Sequence, residues 1–302
     1  MNNLIKNIVI LIFIIIVISC DDPAPTELVN NNDEVSVDII NPQPDSFVIT
    51  GYDSTGITNP IPVKKSVISL SGIKNTIKGK TYYKGYGEAV FFDTTKPVYI
   101  NSGNIKRLIG YKTLEFGKVR FGIDTAKIVP FYLKYRENYQ IKDTLLGVKH
   151  VISYGPAKIP SVNRLPYGNN IKVLFRNRFD KLTELTVKLP EEIVGKIKIT
   201  GSKEKNNLRI NLDWNKGSLG TDEIIVGGIL KNRKELIPLF RIKNLKDNSF
   251  VIPNSFIKKI LERDYDAIVF SFIRKIRKSN STSRLGDIYF ASQSIHNIWI
   301  VF

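Results

Sequence analysis

Apolar and polar residues alternate with period two along much of this chain. Glu34-Val35-Ser36-Val37-Asp38-Ile39 alternates, and so do Leu185-Thr186-Val187-Lys188-Leu189, Lys196-Ile197-Lys198-Ile199 and Leu208-Arg209-Ile210-Asn211-Leu212. The pattern sets apolar side chains on one face of a half-buried strand and polar ones on the other. Further strands are predicted at residues 89–92, 98–101, 119–123, 128–133, 148–153, 171–175, 224–230, 239–242, 267–276, 288–291 and 297–302. Turn residues separate them: Asn101-Ser102-Gly103-Asn104, Glu115-Phe116-Gly117-Lys118, Thr200-Gly201-Ser202 and Lys216-Gly217. Helix is scarce. One short helix is predicted at 255–262, where Pro253 precedes, Asn254 or Ser255 can cap, and Phe256, Ile257, Ile260 and Leu261 form an apolar stripe. Short strands at this spacing predict an all-β fold built of sandwiches or barrels.

The length of 302 residues predicts roughly two domains. Gly155, Pro156, Pro160, Pro166 and Gly168 cluster between them, the kind of composition that marks a boundary. The expected division is an N-terminal β domain over 34–160 and a C-terminal β-sandwich over 161–302.

Residues 1–19 read as a secretory signal. Lys6 gives the positive start, and an unbroken apolar run fills 8–18. As a helix that run is about 16 Å long, against a hydrocarbon core of about 30 Å. Val17-Ile18-Ser19-Cys20 follows and resembles the bacterial lipobox. The resemblance implies cleavage between Ser19 and Cys20, with a diacylglycerol on the Cys20 thiol and an acyl chain on the new N-terminus, palmitate among the chains. The alternative is a plain signal peptide with a spare cysteine. Cys20 is the only cysteine. Residues 20–33 behind it, with Asp21-Asp22-Pro23-Ala24-Pro25 and Asn30-Asn31-Asn32-Asp33, have the composition of a tether that does not pack. Two or three acyl chains, at about 0.8 kcal/mol per buried methylene, anchor a protein firmly. Asp21 after the cysteine resembles the inner-membrane retention signal of enterobacterial lipoproteins, whereas the acidic pair Asp21-Asp22 resembles outer-membrane lipoproteins of other Gram-negative lineages. The heavy use of Ile, Lys and Asn favours the second, so the outer membrane is expected.

A second resemblance covers about 196–302. Leu212-Asp213-Trp214-Asn215, then Asp222-Glu223-Ile224-Ile225-Val226, then Phe250-Val251-Ile252-Pro253-Asn254-Ser255-Phe256 and the long strand from Ala267 are similar to a pattern in uncharacterised envelope lipoproteins. It implies an immunoglobulin-like sandwich with Trp214 in the core and a terminal hairpin. It implies no activity.

Charge and composition add exclusions. Lys+Arg exceed Asp+Glu, 45 against 28, for a net charge of +17. Heavy use of Ile, Lys and Asn matches AT-rich coding, so the charge does not by itself call for an anionic partner, and no nucleic-acid partner is expected. Two histidines, His150 and His296, and one cysteine leave a zinc site or an intramolecular disulfide without ligands or partners. No cofactor or metal is expected. Gly85-Tyr86-Gly87 precedes a strand, not the helix a phosphate loop needs. The carboxylate pairs Glu191-Glu192 and Asp222-Glu223 are adjacent, so on strands they point to opposite faces and cannot share acid–base work. Enzyme activity is not expected.

Three groups of side chains have surface roles open to them. Arg274, Lys275, Arg277 and Lys278 end a long apolar strand, Ser279–Ser283 reads as a polar loop, and Arg284 begins the return. This cationic hairpin tip suits anionic headgroups or an acidic glycan; the alternative is an edge that uses charge to block aggregation. Tyr82, Tyr83, Tyr86, Phe91 and Phe92, with Phe131, Tyr132, Tyr135 and Tyr139, are either core or sugar-stacking platforms. Ser54, Thr94, Thr125 and Thr144 each follow an aspartate, as in the acceptor of a bacterial O-glycosylation system, though Asp-Ser and Asp-Thr also make good turns. The expected function is a non-catalytic, lipid-anchored envelope binding or scaffold module. Its partners are membrane lipid through Cys20 and, beyond that, envelope proteins or an acidic glycan. The alternative is a glycan-binding or glycan-active surface lipoprotein.

Overall fold

The structure is a computed structural model that describes residues 35–39, 66–102, 105–137, 140–158, 165–176, 182–202, 207–231, 236–261, 264–282 and 286–301. Among these the fold is all-β, with one short helix, α1 (Asn254–Leu261). The signal peptide, Ser19, Cys20, the tether, Ser54, Tyr139 and Arg284 lie outside the described residues.

The frame is a nine-stranded sheet. Its order is β1 (Ser36–Ile39), β15 (Leu236–Lys243), β14 (Thr221–Leu230), β17 (Tyr265–Thr282), β18 (Gly286–Val301), β2 (Ser66–Ile77), β3 (Lys80–Val90), β9 (Gln140–Ala157) and β8 (Lys127–Glu137). All neighbours are antiparallel except β18 and β2, which run parallel from Ile288↔Ser66 to Trp299↔Ile77.

Two small sheets cover adjacent parts of one face. β6 (Val119–Phe121), β7 (Asp124–Thr125), β10 (Asn170–Arg176) and β11 (Leu182–Lys188) form the first. Their Val119, Phe121, Val173, Phe175 and Val187 pack on Ile68, Leu70, Ala89, Ile152 and Phe290 of the large sheet. β12 (Gly195–Thr200), β13 (Arg209–Trp214) and β16 (Ser249–Val251) form the second. Its Ile210, Leu212 and Trp214 join Ile257 and Ile260 of α1 over Ile224, Val226, Phe240, Phe270 and Phe272. A hairpin of β4 (Phe92–Ser102) and β5 (Ile105–Thr113) closes a third cluster, in which Phe92 and Ile109 meet Phe131, Leu133 and Leu146. Burying one such aromatic contributes about 3–5 kcal/mol, judged by truncation to alanine.

Several expectations change here. The two halves divided near residue 160 share a sheet, because β2 of the first is hydrogen-bonded to β18 of the second. The change of core falls later, between Leu189 and Ile193: Leu165, Ile171, Val173 and Leu189 belong with the first cluster. Gly155 and Pro156 lie in the end of β9, and Ile152 before them and Leu165 and Ile171 after them share one cluster, so no boundary between cores falls there. The strands expected at 288–291 and 297–302 join in one strand, β18, which runs from Gly286 to Val301. The expected loop at Ser279–Ser283 is strand through Thr282, because the β17–β18 ladder continues to Thr282↔Gly286.

Candidate functional site

The polar groups that the fold draws together lie where the two cores meet. Side chains of a strand alternate, so Ser292, Ser294 and His296 of β18 share one face. All three are buried. They hold the segment that crosses from β11 to β12. The Ser292 hydroxyl donates to the carbonyl of Lys188. The Ile193 amide donates to Ser294 Oγ at 2.9 Å. The Gly195 amide donates to His296 Nδ1 at 2.9 Å.

That last bond fixes the imidazole. Nδ1 accepts, so the ring proton of the neutral form sits on Nε2, which lies 2.9 Å from Thr76 Oγ1 and donates to it. Burial, reinforced by the nearby Lys74 charge, pushes the His296 pKa down to about 4. The crossing segment is gripped from its other side as well. The Val194 amide donates to Asn215 Oδ1 at 2.6 Å, and Asn215 Nδ2 donates to the Glu192 carbonyl at 2.8 Å. Glu191 accepts from the Ser218 hydroxyl and amide, and these bonds hold its carboxyl below the usual range.

Gly195 is required by a close approach. A Cβ there would lie 2.3–2.5 Å from three ring carbons of Phe272. Gly195→Ala is therefore expected to lower stability by about 1–3 kcal/mol. Urea denaturation measures this, and a Phe272→Leu background should relieve most of the penalty. An alanine variant as stable as wild type in both backgrounds would show that the strand shifts freely.

Beside this crossing sits a buried ion pair. Arg274 is 1% exposed. Its Nε donates to Asp222 Oδ1 and its Nη2 to Asp222 Oδ2, both at 2.8 Å. Nη2 also donates to the Asn215 carbonyl at 2.7 Å. Trp214 Nε1 donates to the same carboxylate at 3.1 Å. Gly217 lies directly against the guanidinium, where a Cβ would come within 2.3–2.4 Å of its atoms. One residue on, Lys275 pairs with Glu223 on the opposite face, and desolvation lowers the lysine pKa despite that partner. The two adjacent carboxylates thus serve opposite faces of β14.

The sequence reading of the cationic hairpin is corrected by this geometry. Arg274 and Lys275 sit in intramolecular pairs, because β17 continues inward between β14 and β18. Arg277 and Lys278 are exposed. The first aromatic group turns inward at Tyr83, Phe91 and Phe92 and is half-buried at Tyr82 and Tyr86; in the second, Phe131 is buried and Tyr132 is 52% exposed. Thr94 and Thr125 are exposed and Thr144 is half-buried. Thr94 belongs to a bulge of β4 in which Asp93 Oδ1 accepts from the Thr95 amide and hydroxyl at 3.1 and 2.6 Å.

His150 is buried against Phe91, and neither ring nitrogen has a partner. Desolvation lowers its pKa, against a smaller opposing effect of Glu115. Among the described residues no three His, Cys, Asp or Glu side chains form a metal-binding group. The Ser-x-Ser-x-His rail escaped the sequence reading. Its signal was a period-two polar run between two apolar ones, which read as a break between strands. No protein-family model, curated protein or solved structure matches this chain.

Proposed function

We propose that the protein is a lipid-anchored component of the cell envelope, held at the outer rather than the inner membrane, acting as a non-catalytic binding or scaffold module. The observation that carries this reading is the lone Cys20, placed at the end of an apolar run and followed by a polar stretch. That stretch precedes β1, one of the two edge strands of the nine-stranded sheet, which Lys243 and Asp38 tie to β15 by an ion pair at 2.6 Å. Anchoring at Cys20 would present the sheet at the membrane surface on a short leash. Its partners on this reading are lipid through the acylated thiol, and envelope proteins or an acidic glycan through the folded part.

Cys20→Ser removes the thiol that accepts the diacylglycerol. The wild type is expected in the detergent-rich phase of a cloud-point extraction and the variant in the aqueous phase or uncleaved. Equal partitioning of the two overturns the lipoprotein reading.

A second reading, a glycan-binding surface protein, is favoured by one set of side chains. Asn297 Nδ2 donates to Asn75 Oδ1 at 3.0 Å; Tyr82 stands cross-strand from Asn75, and Trp299 follows Asn297 by two residues on the same face of β18. Carboxamides on one face with aromatic rings suit sugars. Glycan cleavage would need two carboxylates about 5–10 Å apart in one cleft, whereas Asp222 and Glu223 engage opposite faces.

A further inference from the structure

The face of the nine-stranded sheet turned away from the small sheets is rich in polar side chains. Side-chain alternation and the strand register place Lys80, Tyr82 and Lys84 of β3, Asn75 of β2, and Asn297 and Trp299 of β18 on this face together. Tyr82 stands cross-strand from Asn75, and Asn75 from Asn297. Trp299 follows two residues along β18. At a strand spacing of about 4.8 Å the row from Tyr82 to Asn297 spans about 10 Å.

We propose that Lys80, Tyr82, Asn75, Asn297 and Trp299 form a binding site for an acidic glycan, one whose sugar units carry carboxylates. The proposal rests on the binding-module reading and names the ligand class of that module.

Four observations carry it. First, Asn297 Oδ1 and Trp299 Nε1 are both buried and both lack a hydrogen-bond partner. An acceptor and a donor two residues apart on one strand face match sugar hydroxyls, which both give and accept. A buried polar atom left unmatched costs about 1–3 kcal/mol, and a ligand hydroxyl removes that cost. Second, Tyr82 and Trp299 are half-buried, so each offers part of its ring to stack on a sugar face. Third, Lys80 is exposed and lies two residues before Tyr82 along β3 on the same face, where its ammonium reaches a ligand carboxylate. Fourth, β2 and β18 are interior strands. Their backbone groups are already paired, so an extended peptide cannot add as a further strand here, and recognition must come from side chains.

Binding of polygalacturonate to the full-length protein in detergent micelles tests this, with the fully methyl-esterified polymer as the uncharged counterpart. Affinity gel electrophoresis or calorimetry reads the affinity at two salt concentrations. The wild type is expected to prefer the free acid by at least tenfold. Trp299→Ala and Asn297→Ala should each lower affinity about tenfold or more, and Trp299→Phe should keep the stacking and lose less. Tyr82→Ala at the rim of the row repeats the test without touching the core, and the melting temperature of each variant shows whether it remains folded. No binding by the wild type, equal binding of the two polymers, or binding that only salt weakens and no variant changes would overturn the site. None of these outcomes touches the detergent partitioning of Cys20→Ser, which judges the envelope-module reading separately.

Discussion

Asp222→Asn is expected to remove about 3–5 kcal/mol of folding stability, a large share of the roughly 5–15 kcal/mol that holds a typical domain together. The substitution keeps the shape and removes the charge that faces Arg274. The guanidinium is fully buried and forked onto that carboxylate, and its Nη1 already lacks a partner. Without Asp222 the protein must either bury an uncompensated cation or open the loop from Asn215 to Gly220 to let it reach water. Trp214 loses its indole acceptor in the same step. Urea denaturation followed by tryptophan fluorescence measures the loss. Removing both charges together, Arg274→Met with Asp222→Leu, should cost far less, because apolar groups of similar volume spare the desolvation of two ions. A double-mutant cycle separates the pair from its surroundings. Single variants within about 1 kcal/mol of wild type would show that the pair is wet and weak.

Acid is expected to destabilise the protein well before its carboxylates titrate. The folded-state pKa of His296 is pushed down to about 4 from an ordinary 6.5. Unfolded chain therefore binds a proton between those two values while the folded chain does not. Stability contributed by the neutral ring is fully present above pH 6.5 and is lost as pH falls toward 4, by an amount on the order of 3 kcal/mol. The structural cost is specific. A proton on Nδ1 turns the acceptor of the Gly195 amide into a second donor facing it. The bond that ties β12 to β18 is then replaced by repulsion, with Lys74 adding to it. His150 adds in the same direction, because its pKa is also lowered by burial. Glu191 and Asp93, held low by Ser218 and Thr95, contribute only at more acid pH. Thermal melts of wild type and His296→Gln between pH 7 and 4 check this. The variant should start less stable and lose less with acid. Parallel profiles would place the acid sensitivity elsewhere.

What the chain's pattern determined by itself follows from one-sided burial. Residues 196–199 and 208–212 alternate, and they form β12 and β13, which pack one face on the second core and turn Lys196, Lys198 and Arg209 to water. The helix expected at 255–262 forms as α1, with Ile257 and Ile260 buried, because its cap and its apolar stripe are local signals. Strands buried on both faces carry no such mark. Ser66-Val67-Ile68-Ser69-Leu70-Ser71-Gly72-Ile73 is wholly buried in β2 and shows no alternation toward solvent, so it went unrecognised. The polar stretch Ser292–His296 read as a gap for the opposite reason: its hydroxyls and imidazole are inside, matched to backbone groups of a segment about a hundred residues away. Only the tertiary structure decided that Arg274 and Lys275 face carboxylates rather than a partner. Their neighbours Asp222 and Glu223 lie 52 residues earlier in the chain, and no local pattern records which strand will pair with β17. The same holds for the join between the two halves. Parallel pairing of β2 with β18 brings together residues 222 positions apart, as at Asn75 and Asn297, and that choice belongs to the packed sheet as a whole.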